Sequence, residues 1–370
     1  MMKNRIITAL HVTGFSVFEP VVRLCAGEEP REQMGKIVRF IGVPIFAFML
    51  FLWGWWLVAI NVKTKYGTLP TPVEVWTQAK SLTAGHFEAR KKKQAFFEQQ
   101  KKLSAQLMTQ ATATREQLKS VTDPAKQKQL SETANRLEEN AGKALKRRYS
   151  GPPTYLDQIG TSLKTVFAGF VIASLIAVPL GICGGLSKTF MAAISPMIAI
   201  FKPVSPLAWL PIVMILVGAL YTAEPDKAWF EKSFISSALT VALCSLWPTL
   251  VNTSLAVASI DKDYMNVARV LRLNWSTQLF RIIIPASLPL MFTGLRLSLG
   301  VGWMVLIAAE MLAQNPGLGK FVWDMFQNGS QQTLAQIMVA VFTIGIIGFI
   351  LDRIMVILQK SVSYDATAPV

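Results

Sequence analysis

Three ionisable residues stand inside long apolar stretches of this sequence: Lys202, Arg296 and Glu310. A charge at the centre of a bilayer is unfavourable by roughly 2.5–3.5 kcal/mol on insertion scales, so each side chain is expected to face protein or water. A cation there could attract an anion, whereas Glu310 would repel one, which favours a structural or gating role for Glu310. The alternatives are that Lys202 snorkels or pairs within the helix bundle and that Arg296 pairs with Glu310.

Prolines interrupt the apolar stretch that contains Lys202, at positions 203, 206 and 211. Proline breaks the helical hydrogen-bond ladder, and backbone groups freed at membrane depth are tolerated only where protein or a water-filled cavity satisfies them. The break therefore predicts a transport path beside Lys202, Pro203 and Pro206. Packing kinks without a functional role are the alternative.

A third group of residues lies in a polar segment between two apolar stretches, at about residues 261–285. The segment is short, and its pattern predicts an amphipathic helix held rigidly between two membrane spans. A helix of this kind can press into a groove on a partner protein. The residues that define the pattern are Asn266, Val267, Ala268, Arg272, Ile282, Ile284 and Pro285.

The elements that must position these residues are long apolar helices. Of the 370 residues, 52% are hydrophobic and 16% are charged, whereas soluble domains carry about a quarter charged residues. About 20 consecutive apolar residues suffice to cross a hydrocarbon core of ~30 Å. The sequence thus predicts an all-α polytopic membrane protein with about six spans, near residues 40–60, 161–186, 190–220, 234–260, 282–313 and 335–358. Glycines 294, 300 and 302 are expected to permit close helix packing.

The distribution of basic residues predicts the orientation of these spans. Lysines and arginines flank the spans in the leader, in the loops after the second and fourth spans and in the tail, and such residues favour the cytoplasmic side. Both termini are therefore expected on the cytoplasmic side. The predicted segments are a leader (1–37), a first span (38–62), an outward-facing loop (63–158), a core with five spans (159–360) and a tail (361–370).

The outward-facing loop contains a charged insert. Residues 86–150 hold 15 Lys and Arg against 7 Asp and Glu. Two apolar stripes flank the turn signal Thr122-Asp123-Pro124, and they predict a helical hairpin at about 86–148; a solvated, partly disordered linker is the alternative. The stripes comprise Phe96, Leu103, Leu107, Ala111 and Leu118, then Leu130, Ala134, Leu137, Ala141 and Leu145.

Other classes of function are not indicated. The net charge of +15 is explained by cations flanking membrane spans, so no nucleic-acid partner is expected. The three cysteines lack metal-ligand spacing, and with only His11 and His86 as histidines no metal site is predicted.

The 261–285 segment resembles the coupling-loop motif of ABC importer permeases, EAA-x3-G-x9-I-x-L-P. Ala268, Ile282 and Pro285 match it at the required spacing, while Asn266, Val267 and Arg272 replace Glu, Ala and Gly. Further stretches resemble the nitrate/sulfonate/bicarbonate (taurine-like) branch of these permeases, at residues 203–211, 302–312 and 315–319. The resemblance covers about residues 38–80 and 155–360 and does not extend to the insert.

This resemblance implies a methionine-permease-like type I ABC importer fold. It also implies three kinds of partner: a cytosolic ABC ATPase, a periplasmic substrate-binding protein and a second permease copy. The sequence contains no G-x-x-x-x-G-K-[ST] loop, so ATP is expected on the separate ATPase subunit, and the chain is expected to need no cofactor and to be no enzyme by itself. The resemblance also implies a location in a bacterial inner membrane. Separately, the outward, basic character of the insert allows the hypothesis that it docks the binding protein or contacts anionic lipid or cell wall; a purely structural hairpin is the alternative.

The substrate implied by the branch is a small anion: nitrate first, then sulfonate or taurine, or bicarbonate. Transport would proceed by alternating access. Two alternatives of other classes are a membrane-anchored scaffold built around the hairpin and a secondary transporter. A secondary transporter would usually show inverted repeats and acidic residues inside its spans.

Overall fold

The computed structural model describes residues 16–64, 67–120, 124–147, 149–222 and 230–362, together with Ile7. Thr122 and Asp123, where a turn is predicted, and the tail from residue 363 onward lie outside the described residues. The chain divides into two compact units, Lys80–Asp157 and the remainder.

The first membrane span is preceded by short helices. Helix α1 (Glu19–Cys25) is followed by α2 (Pro30–Ile37), which continues through a π-helical segment (Val38–Gly42) into α3 (Val43–Asn61). One uninterrupted helix therefore extends from Pro30 to Asn61. It begins ahead of the predicted residue 40 because Pro30 occupies the first turn, where its fixed φ favours helix initiation.

Two short strands and two long helices follow. Strand β1 (Lys63–Thr64) pairs antiparallel with β2 (Gly67–Thr68), and helices α4 (Pro72–Ser120) and α5 (Pro124–Lys146) come next. The inserted helical hairpin is thereby confirmed, although α4 starts earlier than residue 86. A reciprocal cap explains the early start, because the Thr71 N–H donates to Glu74 Oε2 (2.8 Å) and the Glu74 N–H donates to Thr71 Oγ1 (3.3 Å).

The hairpin unit is held together by small residues. Ala111, Ala134 and Ala141 are almost completely buried, so the helices pack closely, and an ion pair joins Arg115 Nη2 to Glu138 Oε2 (2.9 Å). Two larger members of the predicted stripes are exposed and lie outside this contact: Leu103 and Leu145.

The second to fourth spans include one that is broken. Helix α6 (Tyr155–Leu186) is followed by α7 (Lys188–Phe201), α8 (Pro206–Leu220) and α9 (Lys232–Ala258). The Ser187 hydroxyl caps α7 by accepting the N–H of Phe190 (3.2 Å). Helices α7 and α8 bend by 102° at residues 202–205, the geometry of a broken span or of a re-entrant loop.

The last elements are a polar connection, two long helices and a short helix between them. They are α10 (Lys262–Val270), α11 (Trp275–Gln278), a π-helical segment (Leu279–Ile283), α12 (Ile284–Ala313), α13 (Leu318–Asn328) and α14 (Gln331–Val362). Five helices in the described ranges are long and apolar enough to cross a membrane, and the number is six if the bent pair is one span. The predicted all-α architecture with about six spans is confirmed.

A spine of small residues allows α6 to approach α9 closely. Gly169, Ala173, Ala177, Gly181 and Gly185 recur at every fourth position of α6, which places them on one face. A Cβ added at Gly181 would lie 2.8 Å from the backbone oxygen of Leu250 and 2.6 Å from Thr253 Cβ. Close approach through small residues is a general device for packing helices in membranes.

Candidate coupling and transport sites

The polar connection after α9 forms a rigid loop, in which α10 packs one face on the core. The Asp261 carboxylate caps α10 by accepting the Asp263 N–H (3.1 Å). Ala268 is completely buried, and Met265 packs against a cluster formed by Ile182, Val257 and Ile283. The loop is therefore anchored to α6, α9 and the start of α12.

Helix α10 ends in a Schellman motif at Arg272. The Leu273 N–H donates to the Ala268 carbonyl (3.0 Å), and the Arg272 N–H donates to the Arg269 carbonyl (3.0 Å). Arg272 has φ 46°, a left-handed conformation that favours glycine. The Asn274 side chain then caps α11 by accepting the Thr277 N–H (3.0 Å). The motif places glycine at the position of Arg272, and the left-handed backbone there is the conformation that favours glycine.

The opposite face of α10 is exposed and apolar. Tyr264, Val267, Val270 and Leu271 all lie on the surface, and Val270 is 82% exposed. Asn266 and Arg272 are exposed beside them. A helix with one anchored face and one open apolar face has the geometry of a docking element.

The C-terminal half of the predicted motif anchors the loop. Ile284 packs against the cluster around Ile283, Ile282 is half-buried, and Pro285 lies exposed in the first turn of α12. Ile283, which is 1% exposed, is the most buried residue here although the motif does not mark it.

The break between α7 and α8 contains Lys202. Ser205 caps α8 by accepting the Leu207 N–H (3.3 Å), and Pro206 occupies its first turn. Lys202 is exposed, and its ammonium group has no hydrogen bond or ion pair within the part of the chain that the structure describes. Pro211 lies inside α8 without interrupting it, so the expectation that it breaks the span is wrong.

Aromatic rings surround this break. The ring of Phe201 lies 5.7 Å from that of Trp209 and 6.2 Å from that of Trp247, measured between centroids. The indole N–H groups of both tryptophans are buried and find no acceptor among the described residues. Buried donors without partners are uncommon. Among the residues that the structure describes, this region has an unpaired cation, Lys202, and two indole donors without an acceptor.

Arg296 pairs with Asp352 of α14 rather than with Glu310. Its Nε and Nη2 atoms donate to Oδ1 and Oδ2 at 2.5 and 2.9 Å. A bidentate pair of this kind is both directional and charge-assisted. Asp352 was not singled out from the sequence, although it is the one acidic residue of the predicted span 335–358.

Glu310 is completely buried at the end of α12. Its carboxylate accepts the Ser162 hydroxyl (2.8 and 2.9 Å) and the Gly319 N–H (3.0 Å), and the Ser162 oxygen in turn accepts the Leu318 N–H (2.8 Å). A Cβ at Gly317 would collide with this carboxylate. The network ties α12 to α6 and to the start of α13. Nothing in the sequence pattern had marked Ser162.

The fold and the coupling segment define an integral membrane permease. Residues 162–364 match the family of binding-protein-dependent transport system inner membrane components, and the chain belongs to that family. The predicted resemblance to ABC importer permeases is therefore confirmed. The chain is a transport subunit, and the scaffold and secondary-transporter alternatives no longer apply.

Relatives come from bacteria and archaea. The chain is 36% identical over 205 residues to the nitrate import permease protein NrtB of Synechocystis sp., covering 55% of this chain and 69% of the relative. It is 36% identical over 200 residues to the bicarbonate transport system permease protein CmpB of Synechococcus elongatus, covering 54% and 66%. A putative ABC transporter permease of Methanocaldococcus jannaschii is 31% identical, covering 55% and 70%.

Among solved structures, the chain is similar to an inward-facing conformation of the MetNI methionine ABC transporter. The TM-score is 0.49 at 10% sequence identity, and the alignment covers 56% of this chain and 95% of the other. A second crystal form of that transporter gives a TM-score of 0.47 at 12% identity, covering 56% and 96%.

Proposed function

We propose that this chain is the membrane permease of an ATP-driven importer for a small oxyanion, with nitrate or bicarbonate ahead of sulfonates such as taurine. The observation that carries the proposal is the exposed apolar face of α10, which is anchored to the core on its other side. The names of the nitrate and bicarbonate relatives support the substrate class.

The coupling step depends on the rigidity of the loop. A cytosolic ATPase subunit, which binds the ATP, receives Tyr264, Val267 and Val270 in a groove. Because Ala268 and Met265 are anchored among core side chains, a displacement of α10 is transmitted to α6, α9 and α12. Movement of the ATPase pair would then switch the permease between inward-open and outward-open states, as in alternating access.

The charges inside the spans support an anionic substrate. Lys202 has no hydrogen bond or ion pair among the described residues. It lies at the bend between α7 and α8, and the half-helix α8 begins beside it. Broken helices at membrane depth with exposed cations are typical of transport sites for anions. Lys202, Pro203 and Pro206 are accordingly the proposed lining of the path, together with Arg296.

The working importer would contain two copies of this chain, two ATPase subunits and an external substrate-binding protein. In the single chain, many large apolar side chains of the spans are exposed, Leu175, Ile215 and Met304 among them. Lipid and a second copy would cover them, as is usual for symmetric oligomers. The proposed location is the bacterial inner membrane, with both termini cytoplasmic.

Co-purification tests the coupling role. Tagged chain would be isolated from its native membranes in mild detergent, and the associated proteins identified. We expect an ATPase subunit to be recovered with the wild-type chain and with Phe87→Glu, which alters an exposed apolar residue of the hairpin. Val270→Glu, at a similarly exposed position of α10, should remove the ATPase. Equal recovery with both variants would overturn the coupling role of α10.

Uptake of isotope-labelled anions tests the substrate. Cells expressing the complete transporter should accumulate nitrate or bicarbonate in an ATP-dependent manner, and a sulfonate more weakly. Val270→Glu should abolish this uptake. Normal ATPase recovery combined with no uptake of any of these anions would retain the permease and reject the substrate class.

A further inference from the structure

Three polar ties join α12 to α14 along one edge. The Trp303 indole donates to the Ile344 carbonyl (3.0 Å), Arg296 pairs with Asp352, and the Gln359 amide donates to the Pro289 carbonyl (2.9 Å). On α12 the three residues are seven apart: Pro289, Arg296 and Trp303. Seven residues make about two helical turns, so the ties form one ladder between antiparallel helices.

The middle tie differs from the others in being open. Trp303 is 6% exposed, whereas the side chains of Arg296 and Asp352 are 42% and 36% exposed. The surface beside them is also open, since a Cβ added at Gly300 or at Gly345 would meet no atom within 4 Å. Close helix packing was expected at Gly300, and the structure shows that expectation to be wrong.

This opening lies deep in the membrane span. Arg296 stands eleven residues beyond Pro285, which corresponds to about 16 Å along a helix, near the middle of a ~30 Å core. Charges at that depth face protein or water rather than lipid. Because no described residue of this chain covers the ion pair or the two glycines, the face has room for a small solute beside the charged groups.

We propose that Arg296 is a binding site for the transported anion and that Asp352 is a built-in counter-ion, which the anion displaces. The inference rests on the proposed function, because it takes the substrate to be an oxyanion. Asp352 presents two oxygens in one plane to the Nε and Nη2 atoms of Arg296. Nitrate and bicarbonate present the same planar pair of oxygens, and the guanidinium fork fits that geometry in two parallel hydrogen bonds.

The exchange keeps the guanidinium of Arg296 neutralised in both states. Without substrate, the Asp352 carboxylate neutralises it. With substrate, the anion takes the place of Asp352 on the fork, the face carries one net negative charge, and the released carboxylate must be solvated by water. The fork requires two oxygens of one anion, which nitrate and bicarbonate present and which an edge of a sulfonate can also present.

Uptake by two variants distinguishes a binding site from a simple helix tie. Asp352→Asn keeps Arg296 and removes its competitor, so half-saturating nitrate or bicarbonate concentrations should fall several-fold. The double variant Arg296→Gln/Asp352→Asn keeps a neutral hydrogen-bonding pair but no cation. Its uptake at low substrate should fall about tenfold or more, as expected for the loss of a charge-assisted contact.

Both variants must first be shown to assemble, by recovery of the ATPase subunit with the chain. Equal uptake by the two assembled variants would show that the pair is only a tie and overturn the proposal. Loss of uptake in Asp352→Asn as severe as in the double variant would also overturn it. If the wild-type importer takes up neither anion, the proposed substrate class is wrong. If the wild-type importer takes up the anion but the two variants show equal uptake, only the inference about Arg296 and Asp352 is wrong.

Accessibility provides a readout independent of uptake. In a background with Cys25, Cys183 and Cys244 replaced by serine, Gly300→Cys should react with a membrane-impermeant charged thiol reagent in vesicles, and nitrate should slow the reaction. Leu175→Cys, at an exposed position of another span, serves as the control and should react only with a membrane-permeant reagent. A Gly300→Cys thiol that is closed to the charged reagent would contradict a water-filled face.

Discussion

The N–H of Leu273 donates to the carbonyl oxygen of Ala268 (3.0 Å), and this hydrogen bond closes the end of α10 over Arg272. The bond requires the left-handed conformation that Arg272 adopts at φ 46°. A side chain with a Cβ disfavours that conformation by about 1 kcal/mol, whereas glycine adopts it freely. The coupling loop is therefore held in a left-handed conformation at Arg272, and the Cβ of Arg272 disfavours that conformation.

Arg272→Gly should stabilise the chain. Relief of the left-handed strain would increase the free energy of unfolding by about 1 kcal/mol, measured as a higher midpoint of thermal unfolding in detergent. Arg269→Gly is the matched control, since Arg269 lies within α10 and glycine in a helix is unfavourable by about 1 kcal/mol. The two glycine variants should shift the midpoint in opposite directions, and a common direction would contradict the role of the conformation.

The buried network around Glu310 predicts a stability effect rather than a transport effect. Ser162→Ala removes a donor to the carboxylate and an acceptor for the Leu318 N–H. Leaving buried polar groups unsatisfied is unfavourable by about 1–3 kcal/mol for each. We expect a marked loss of folded chain for Ser162→Ala and for Glu310→Leu, measured as the amount of monodisperse protein recovered.

Glu310→Gln separates this structural role from a direct contact with substrate. The amide keeps an acceptor for Ser162 and for Gly319, so the remaining folded importer should transport at a near-normal rate for each molecule. Thr112→Ala, at an exposed position of the hairpin, controls for expression. A Glu310→Gln importer that folds normally but has lost transport would show instead that the carboxylate acts in the path or the gate.

Much of the architecture could be predicted from the sequence because apolar runs of membrane length have few alternatives. The six spans, the hairpin and the coupling segment all follow from hydropathy and spacing. The partners of individual residues could not be predicted in the same way. Arg296 and Asp352 are 56 residues apart, and only the packing of α12 on α14 brings them together.

The spine of small residues in α6 predicts that alanine substitution at two of the helix's glycines has contrasting effects on stability. Gly181→Ala places a Cβ 2.8 Å from the Leu250 backbone oxygen, so α9 must move, and we expect destabilisation of about 1–3 kcal/mol as for an overpacked core. At Gly160 an added Cβ meets no atom within 4 Å, so Gly160→Ala should be neutral or stabilising by up to about 1 kcal/mol.

Thermal unfolding in detergent measures both glycine variants. Equal midpoints would show that α6 and α9 are less closely packed than this geometry requires. The spacing of Gly169, Ala173, Ala177, Gly181 and Gly185 is visible in the sequence. The sequence does not show which helix packs against these residues, because a period of four identifies one face of α6 but not the neighbouring helix.

In the hairpin, the burial of two residues of one apolar stripe differs from what the sequence periodicity alone would suggest, and this difference can be tested. The stripe on α5 includes both Ala134 and Leu145, yet Ala134 is 1% exposed and Leu145 is 61% exposed. Small residues occupy the contact between the two hairpin helices because they let the helix backbones approach closely. Larger side chains of the same stripe are therefore left outside the contact. Ala134→Glu would force a charge into this contact, and a buried unpaired charge is strongly unfavourable.

Limited proteolysis of the hairpin in the full-length chain measures the difference. Ala134→Glu should open the hairpin and raise the rate of cleavage between Lys80 and Arg147 by at least about tenfold, as a loss of roughly 1.4 kcal/mol or more implies. Leu145→Glu should leave the cleavage rate unchanged, because its side chain already lies in solvent. Equal protection of both variants would place Ala134 on the surface, and greater cleavage of Leu145→Glu would place Leu145 in the contact between the helices.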